Sequence, residues 1–146
     1  MMSQNNKIAV IIPAAGIGLR FGAKLPKQYS MLESESVLEK TVNLFIEIPE
    51  VDSICIAAHP DDHLINTQSF IKHSKVSIVH GGSSRSLSVF NAAKNIDSDR
   101  VGGILVHDAV RPWLHQDHLS FLLAEFQERG NWDGIYPIVT STDSLR

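Results

Sequence analysis

The sequence is poor in three things that would otherwise narrow its class. It has a single cysteine, Cys55, so no internal disulfide can form and a reducing compartment is the natural expectation. It has no excess of basic charge: 13 Lys+Arg stand against 16 Asp+Glu, for a net charge of -3 and a pI near 6.1. This removes the overall positive field of a nucleic-acid binder but leaves room for a local phosphate-binding patch. It also lacks a long hydrophobic run. The most apolar stretch, Ile8 to Leu19, is interrupted by Pro13 and is shorter than the roughly 20 residues of a membrane span. The start, MMSQNNK, lacks the charged-then-apolar plan of a signal peptide. No membrane and no nucleic-acid partner is expected, and a cytoplasmic location is. What the chain does have is 43% hydrophobic residues in 146, enough to exclude disorder and to fill the core of a single domain spanning 1–146.

Periodicity organises that apolar content. Ile8–Ile12 (IAVII) is a short β-branched run of the kind buried on both faces of a sheet. Ser36 and Glu39 have capping-box spacing ahead of Leu38, Val42 and Phe45, which predicts a helix ending before Pro49. Further strands are predicted over Ser53–Ala58, Val76–Val79, Val101–His107 and Gly134–Val139, the last weakened by Pro137. Helices are predicted over Asp61–Ile71, from Ser86 to about Asn95, and around the stripe Leu119, Leu122, Leu123, Phe126, with Gly130 as its stop. Strand and helix thus alternate along the whole chain. The expected fold is α/β, a Rossmann-like, mostly parallel sheet with helices on both faces. Ligands of such sheets bind beyond the carboxyl ends of the strands.

Three loops fall there. After the first strand come Pro13, Ala14, Ala15, Gly16 and Gly18, then the cations Arg20, Lys24 and Lys27. Small residues let backbone N–H groups approach a phosphate, and Arg and Lys supply a donor fork and a compact charge suited to a triphosphate. The glycine spacing fits neither the dinucleotide fingerprint nor the P-loop. A mobile surface loop with solvated cations is the competing account. After the third strand, Gly81, Gly82, Arg85 and Ser88 suit a base, ribose or phosphate, or else a plain turn with a capping serine. After the fourth, Asp108, Ala109 and Arg111 combine an acid able to hold Mg²⁺ with a cation for a second anionic substrate; the alternative is an Asp108–Arg111 ion pair closing the turn.

Together, AAGxGxR…PKQ (14–28), GGxxRxxSV (81–89) and VHDAxRP (106–112) resemble the 2-C-methyl-D-erythritol 4-phosphate cytidylyltransferases of the sugar-nucleotidyltransferase superfamily. The resemblance implies a nucleotidyltransferase-type fold and a role for each loop. Pro13 to Gly16 would contact the nucleotide, with Gly18 in the same loop. Arg20 and Lys27 would act in catalysis on its phosphates. Gly81, Gly82, Arg85 and Ser88 would recognise the cytidine. Asp108 would hold Mg²⁺ and orient the sugar phosphate beside Ala109 and Arg111. The reaction implied is transfer of the cytidylyl group of CTP to a small sugar-alcohol phosphate, with release of pyrophosphate. Pentitol-phosphate cytidylyltransferases acting on ribitol 5-phosphate share much of the pattern, and a non-catalytic CTP-binding domain is a third possibility. Family members usually exceed two hundred residues. The resemblance therefore implies a missing C-terminal part, including an arm that completes the neighbouring site of a homodimer, with Ser144 near its start.

Elsewhere, His59/His63 and His115/His118 have pair spacings but no third ligand at zinc spacing. His107 is expected to pack beneath its loop and Cys55 to be a small core residue.

Overall fold

A computed structural model describes residues 6–16, 25–129 and 133–138. The apolar run at the start forms the central strand β1 (Ile8–Ala14), in which Ala9, Val10, Ile11 and Ile12 are wholly inaccessible. No polar residue could fill those positions without an unmet hydrogen-bonding group, which is why the run does not alternate. A short hairpin follows, β2 (Met31–Leu32) with β3 (Glu35–Ser36), then helix α1 (Val37–Ile46) and strand β4 (Val51–Ala58). Strand β5 (Val76–His80), helix α2 (Arg85–Ala93) and strand β6 (Gly103–Val106) complete the layer structure. The four long strands are all parallel and lie in the order β5-β4-β1-β6.

From β1 the chain steps outward to β4 and β5, then returns across the sheet to β6. The direction of winding therefore reverses at the β1/β6 boundary, and right-handed crossovers put α1 and α2 on opposite faces. On one face Ile11, Cys55 and Ala57 pack with Ala92 of α2, joined by the half-buried Val79, Val89 and Ala93. The alternate residues Val10, Ile12, Ile54 and Ile56 turn the other way, and α1 buries Leu38, Thr41, Val42 and Phe45. Cys55 is thus a core residue, and burial pushes its thiol pKa up.

Pro13 sits in a central strand without disrupting it. Ile11 accepts a hydrogen bond from His107 N (2.9 Å), so the odd-numbered peptide groups of β1 face β6. The β1–β6 register ends at Ile11 and Val106, the step at which the next ladder bond would need the N–H that Pro13 lacks. Beyond that point the two strands part, and a crevice opens between their loops.

The predicted capping box is formed. Ser36 Oγ accepts from Glu39 N and Glu39 Oε2 accepts from Ser36 N, both at 3.0 Å. Glu39 Oε1 also accepts from Ser69 N (2.7 Å), while Ser36 Oγ donates to Gln68 Oε1 (2.6 Å). Burial raises the Glu39 pKa, but these backbone donors outweigh it and the net shift is downward. The same contacts correct the helix predicted over Asp61–Ile71. That segment is two 3₁₀ turns, Leu64–Thr67 and Ser69–Lys72, separated by Gln68 in an extended conformation (ψ 143°). Gln68 is drawn out of helical geometry to meet Ser36, which an isolated helix pattern cannot foresee.

The chain divides into two compact units, Met1–Trp113 and Leu114–Arg146. The second contains helix α3 (Gln116–Arg129), on which Leu119, Leu122, Leu123 and Phe126 are less exposed than Asp117, His118 and Ser120. The strand predicted over Gly134–Val139 does not form at 134–138: Pro137 supplies no donor, and Tyr136 and Ile138 are exposed. Val139 and the predicted stop Gly130 lie outside the described residues. Among the described residues no helix is long and apolar enough to cross a membrane.

Candidate functional site

The crevice at the β1/β6 boundary is a cavity of about 370 Å³. Its walls are the three loops singled out in the sequence: Pro13 to Gly16 with Lys27 and Gln28, then Gly82 to Arg85 with Ser88, then Asp108 to Val110. The fold thus gathers into one site motifs that lie more than fifty residues apart at the first step, Gln28 to Gly82, and twenty at the second, Ser88 to Asp108. Arg20, Gly18 and Lys24 lie outside the described residues, as does Ser144.

The first wall is built from β1 and the turn that follows it. Gln28 is buried (6% exposed), and its Nε2 donates to Ala14 O at 3.1 Å and to Gly16 O at 3.4 Å. Lys27 begins a 3₁₀ turn (Lys27–Tyr29) closed by Tyr29 N to Pro26 O and Ser30 N to Lys27 O. Tyr29 is buried too, and its hydroxyl donates to Asp62 Oδ2 at 2.5 Å. Burial, then the bond to a carboxylate, push its pKa far up, so it stays protonated. An exposed cation is therefore carried by a turn whose next two side chains are both anchored.

The second wall joins β5 to α2. A Cβ added to Gly81 would stand 2.4 Å from Ala15 Cβ and 3.0 Å from Ser88 Oγ; one added to Gly82 would meet Leu87 Cγ at 2.3 Å. Gly81 lets this turn close onto the β1 loop, and Gly82 lets it close onto Leu87 of α2. Ser88, 2% exposed, donates from Oγ to Ser84 O (2.9 Å) and accepts from Gly82 N (3.0 Å). Ser84 caps α2, accepting from Leu87 N at 3.1 Å. The structural alternative for this loop, a turn with a capping serine, is therefore true of Ser84, and Ser88 holds the turn from below while lining the cavity.

The third wall is charged. Arg85 donates to Asp108 Oδ1 through Nη2 (2.8 Å) and Nε (3.1 Å), and Arg111 donates through Nε to Asp108 Oδ2 (3.0 Å). The Asp108–Arg111 pair expected of a closed turn is present, and the second arginine comes from across the crevice. Arg85 chiefly, then Arg111, hold the Asp108 pKa below the usual carboxylate range against a smaller effect of burial. Beneath the loop, buried Ala109 is fastened by Thr41 Oγ1, which donates to its carbonyl at 3.1 Å. His107 packs edge-on against Phe45 with ring centroids 5.0 Å apart, and its Nε2 lies 2.9 Å from Arg111 O. His107 is thus packed beneath the loop, as expected.

Asp108 is the one carboxylate among the described residues lining the cavity, and no group of three His, Cys, Asp or Glu side chains among them could enclose a metal ion. A lone carboxylate suits an ion held mostly by phosphates and water, which is how Mg²⁺ is commonly bound.

Two residues that build the site were not picked out as functional in the sequence. Gln28 stands inside the PKQ motif, and its chemistry shows only when the chain folds back onto β1. Thr41 leaves a trace, a hydroxyl on the apolar stripe Leu38, Val42, Phe45 of α1.

Comparison with known proteins agrees with this geometry. The chain matches the family described as "IspD: 2-C-methyl-D-erythritol 4-phosphate cytidylyltransferase" over residues 8–146. It is 45% identical over 122 residues to the 2-C-methyl-D-erythritol 4-phosphate cytidylyltransferase of Wigglesworthia glossinidia brevipalpis, covering 84% of this chain and 52% of that protein. It is 44% identical over 126 residues to the enzyme of the same name from Haemophilus ducreyi, covering 86% and 55%. The crystal structure of the Francisella tularensis 2-C-methyl-D-erythritol 4-phosphate cytidylyltransferase superposes with a TM-score of 0.68 at 33% identity, over 84% of this chain and 52% of that one. The chain spans about half the length of these relatives. With its parallel sheet, its three loops at one sheet edge and a match running from residue 8 to 146, the chain belongs to the 2-C-methyl-D-erythritol 4-phosphate cytidylyltransferase family.

Proposed function

We propose that the protein of which this chain is part transfers the cytidylyl group of CTP to 2-C-methyl-D-erythritol 4-phosphate, giving 4-diphosphocytidyl-2-C-methyl-D-erythritol and pyrophosphate. The observation that carries this reading is the cavity at the β1/β6 boundary, where a backbone wall bearing Lys27 meets the cluster of Arg85, Asp108 and Arg111. A nucleoside triphosphate needs both: N–H groups and small residues where the nucleotide lies close, and positive charge where a second phosphate approaches it.

In the proposed reaction a phosphate oxygen of the sugar phosphate attacks the α-phosphorus of CTP. A new P–O bond forms there, the bond to the β-phosphate breaks, and pyrophosphate leaves with those electrons. A phosphate monoester is already anionic at neutral pH, so no general base is required. Catalysis then rests on alignment and charge stabilisation. Lys27, with Arg20, would neutralise the triphosphate; Gly81, Gly82, Arg85 and Ser88 would shape the cytidine pocket; Arg111, with Asp108 and Ala109, would meet the sugar phosphate. Asp108 would hold Mg²⁺ brought in with the phosphates, giving up part of its pairing with Arg85 or Arg111, and the ion would supply further neutralisation of the transferring group. A cytoplasmic homodimer is the proposed setting, in keeping with one buried, reduced cysteine.

The test is pyrophosphate release by the complete gene product with CTP and Mg²⁺, comparing methylerythritol 4-phosphate with ribitol 5-phosphate. Turnover with the first and little with the second is expected, and Lys27→Ala should lower kcat by about a hundredfold or more while the melting temperature holds. Turnover with ribitol 5-phosphate alone would reassign the substrate. CTP binding without turnover on either would make the protein a nucleotide-binding domain.

A further inference from the structure

An anion site made from a strand-end loop has a built-in hazard. Every peptide group that offers an N–H also carries a carbonyl oxygen, whose lone pairs repel phosphate. In the β1 loop two of those oxygens, Ala14 O and Gly16 O, are both within hydrogen-bonding distance of one donor, the Gln28 amide at 3.1 and 3.4 Å. Gln28 is 6% exposed, adjacent to Lys27, and lines the same cavity. In a trans peptide the N–H points opposite to the C=O. Holding Ala14 O toward Gln28 therefore turns the Ala15 N–H to the other side. The next residue, Tyr29, is anchored in turn to Asp62 at 2.5 Å, so the donor of the latch sits on a turn that is itself fixed.

We propose that Gln28 is a positioning residue for the nucleotide: its amide latches the two carbonyls of the β1 loop and so sets that loop, and Lys27 beside it, in the conformation that binds triphosphate. The inference rests on the cytidylyltransferase reading and adds a determinant to the same site. Gln28 acts through the backbone and through Lys27.

The chemistry of the latch makes it separable from packing. Methionine is close to glutamine in volume and has no donor. Glutamate has nearly the same shape but donates only when protonated. Burial against two carbonyl oxygens would raise that carboxyl from its usual value of about 4.3, so equilibrium CTP binding to the complete gene product, measured by calorimetry from about pH 5 to about pH 8, reads both variants. Gln28→Met should bind CTP about tenfold more weakly than wild type across that range, in protein that melts at a lower temperature but still cooperatively. Gln28→Glu should be similarly impaired at the alkaline end and regain affinity, relative to wild type, as the medium becomes acidic and the carboxyl takes up a proton. A Gln28→Met variant that binds within about twofold of wild type would overturn the latch, and so would a Gln28→Glu deficit that does not change with pH. Should Gln28→Met fail to fold, the pH profile of Gln28→Glu decides alone. If wild-type protein does not bind CTP, the cytidylyltransferase reading falls, and the latch that rests on it falls too. If wild type binds CTP and the variants match it, only the latch is lost.

Discussion

The two sides of the cavity are built on different principles. The β1 loop and the Gly81–Gly82 turn form a wall of backbone, shaped by small residues in close contact and secured from behind by the buried side chains Gln28 and Ser88. The Asp108–Arg111 loop and Arg85 form a wall of charge, in which the arginine side chains are 60% and 73% exposed and the carboxylate 36%. A backbone wall depends on fit, and interiors packed to crystal density transmit any misfit. A charged wall depends on fields that water and salt weaken. Damage to the first should therefore appear in stability and geometry together, and damage to the second in function with stability nearly intact.

The largest effect is expected at Gly81. Gly81→Ala would set a methyl 2.4 Å from Ala15 Cβ, so one of the two loops must move. The expected cost in denaturant unfolding is about 2 to 3 kcal/mol, as for overpacked cores. Combining it with Ala15→Gly should recover part of that loss, because the clashing methyl is gone. A fully neutral Gly81→Ala would show that the two loops are not in the close contact on which the backbone wall depends.

Thr41→Val comes next and probes the support beneath the charged wall. The swap keeps the branched shape but removes the hydroxyl, whose one proton is shared between Val37 O and Ala109 O at 2.8 and 3.1 Å. Leaving a buried carbonyl without its donor should cost about 1 to 3 kcal/mol. It should also loosen the loop that carries Asp108 and Arg111, raising KM for the sugar phosphate more than that for CTP. An equal rise in both would mean that α1 supports the whole cavity and not this wall alone.

Asp108→Asn should have the smallest effect on stability, about 1 kcal/mol or less, because both of its pairs are open to water. The sign with pH follows from its lowered pKa, due first to Arg85 and then to Arg111. A carboxyl depressed in the folded state adds stability above its unfolded value, about pH 4, and loses it as pH falls through the folded value. The difference between wild type and Asp108→Asn should thus be present at neutral pH and vanish in acid, and it should shrink in high salt. Urea titrations across pH would show this, while turnover in the same variant should drop sharply at neutral pH. A deficit that persisted in acid would mean that Asp108 acts through packing, and the contrast between the walls would not hold.

Much of this organisation was readable from the linear chain because it depends on local rules. β1 was legible because a short run of β-branched and small apolar residues closed by Pro13 suits a strand buried on both faces. α1 was legible from its cap: Ser36 and Glu39 satisfy each other within one turn, whatever surrounds them. The three loops could be assigned to one edge because alternating strands and helices leave ligands a single favoured place.

The Asp61–Ile71 segment shows where such reading stops. Its apolar spacing is helical, yet Gln68 leaves the helix to pair with Ser36, thirty-two positions away. The site divides in the same way. Residue types and spacing determined that glycine loops and cations would meet beyond the strand ends, since those properties belong to the residues themselves. Only the tertiary structure decided that Gln28 would hold Ala14 and Gly16, that Thr41 would hold Ala109, and that Arg85 would join the local Asp108–Arg111 pair from another loop. Each of these is a bond between groups far apart in the chain, formed when the sheet brings them within about 3 Å, and a hydrogen bond or ion pair has no strength until that distance is reached.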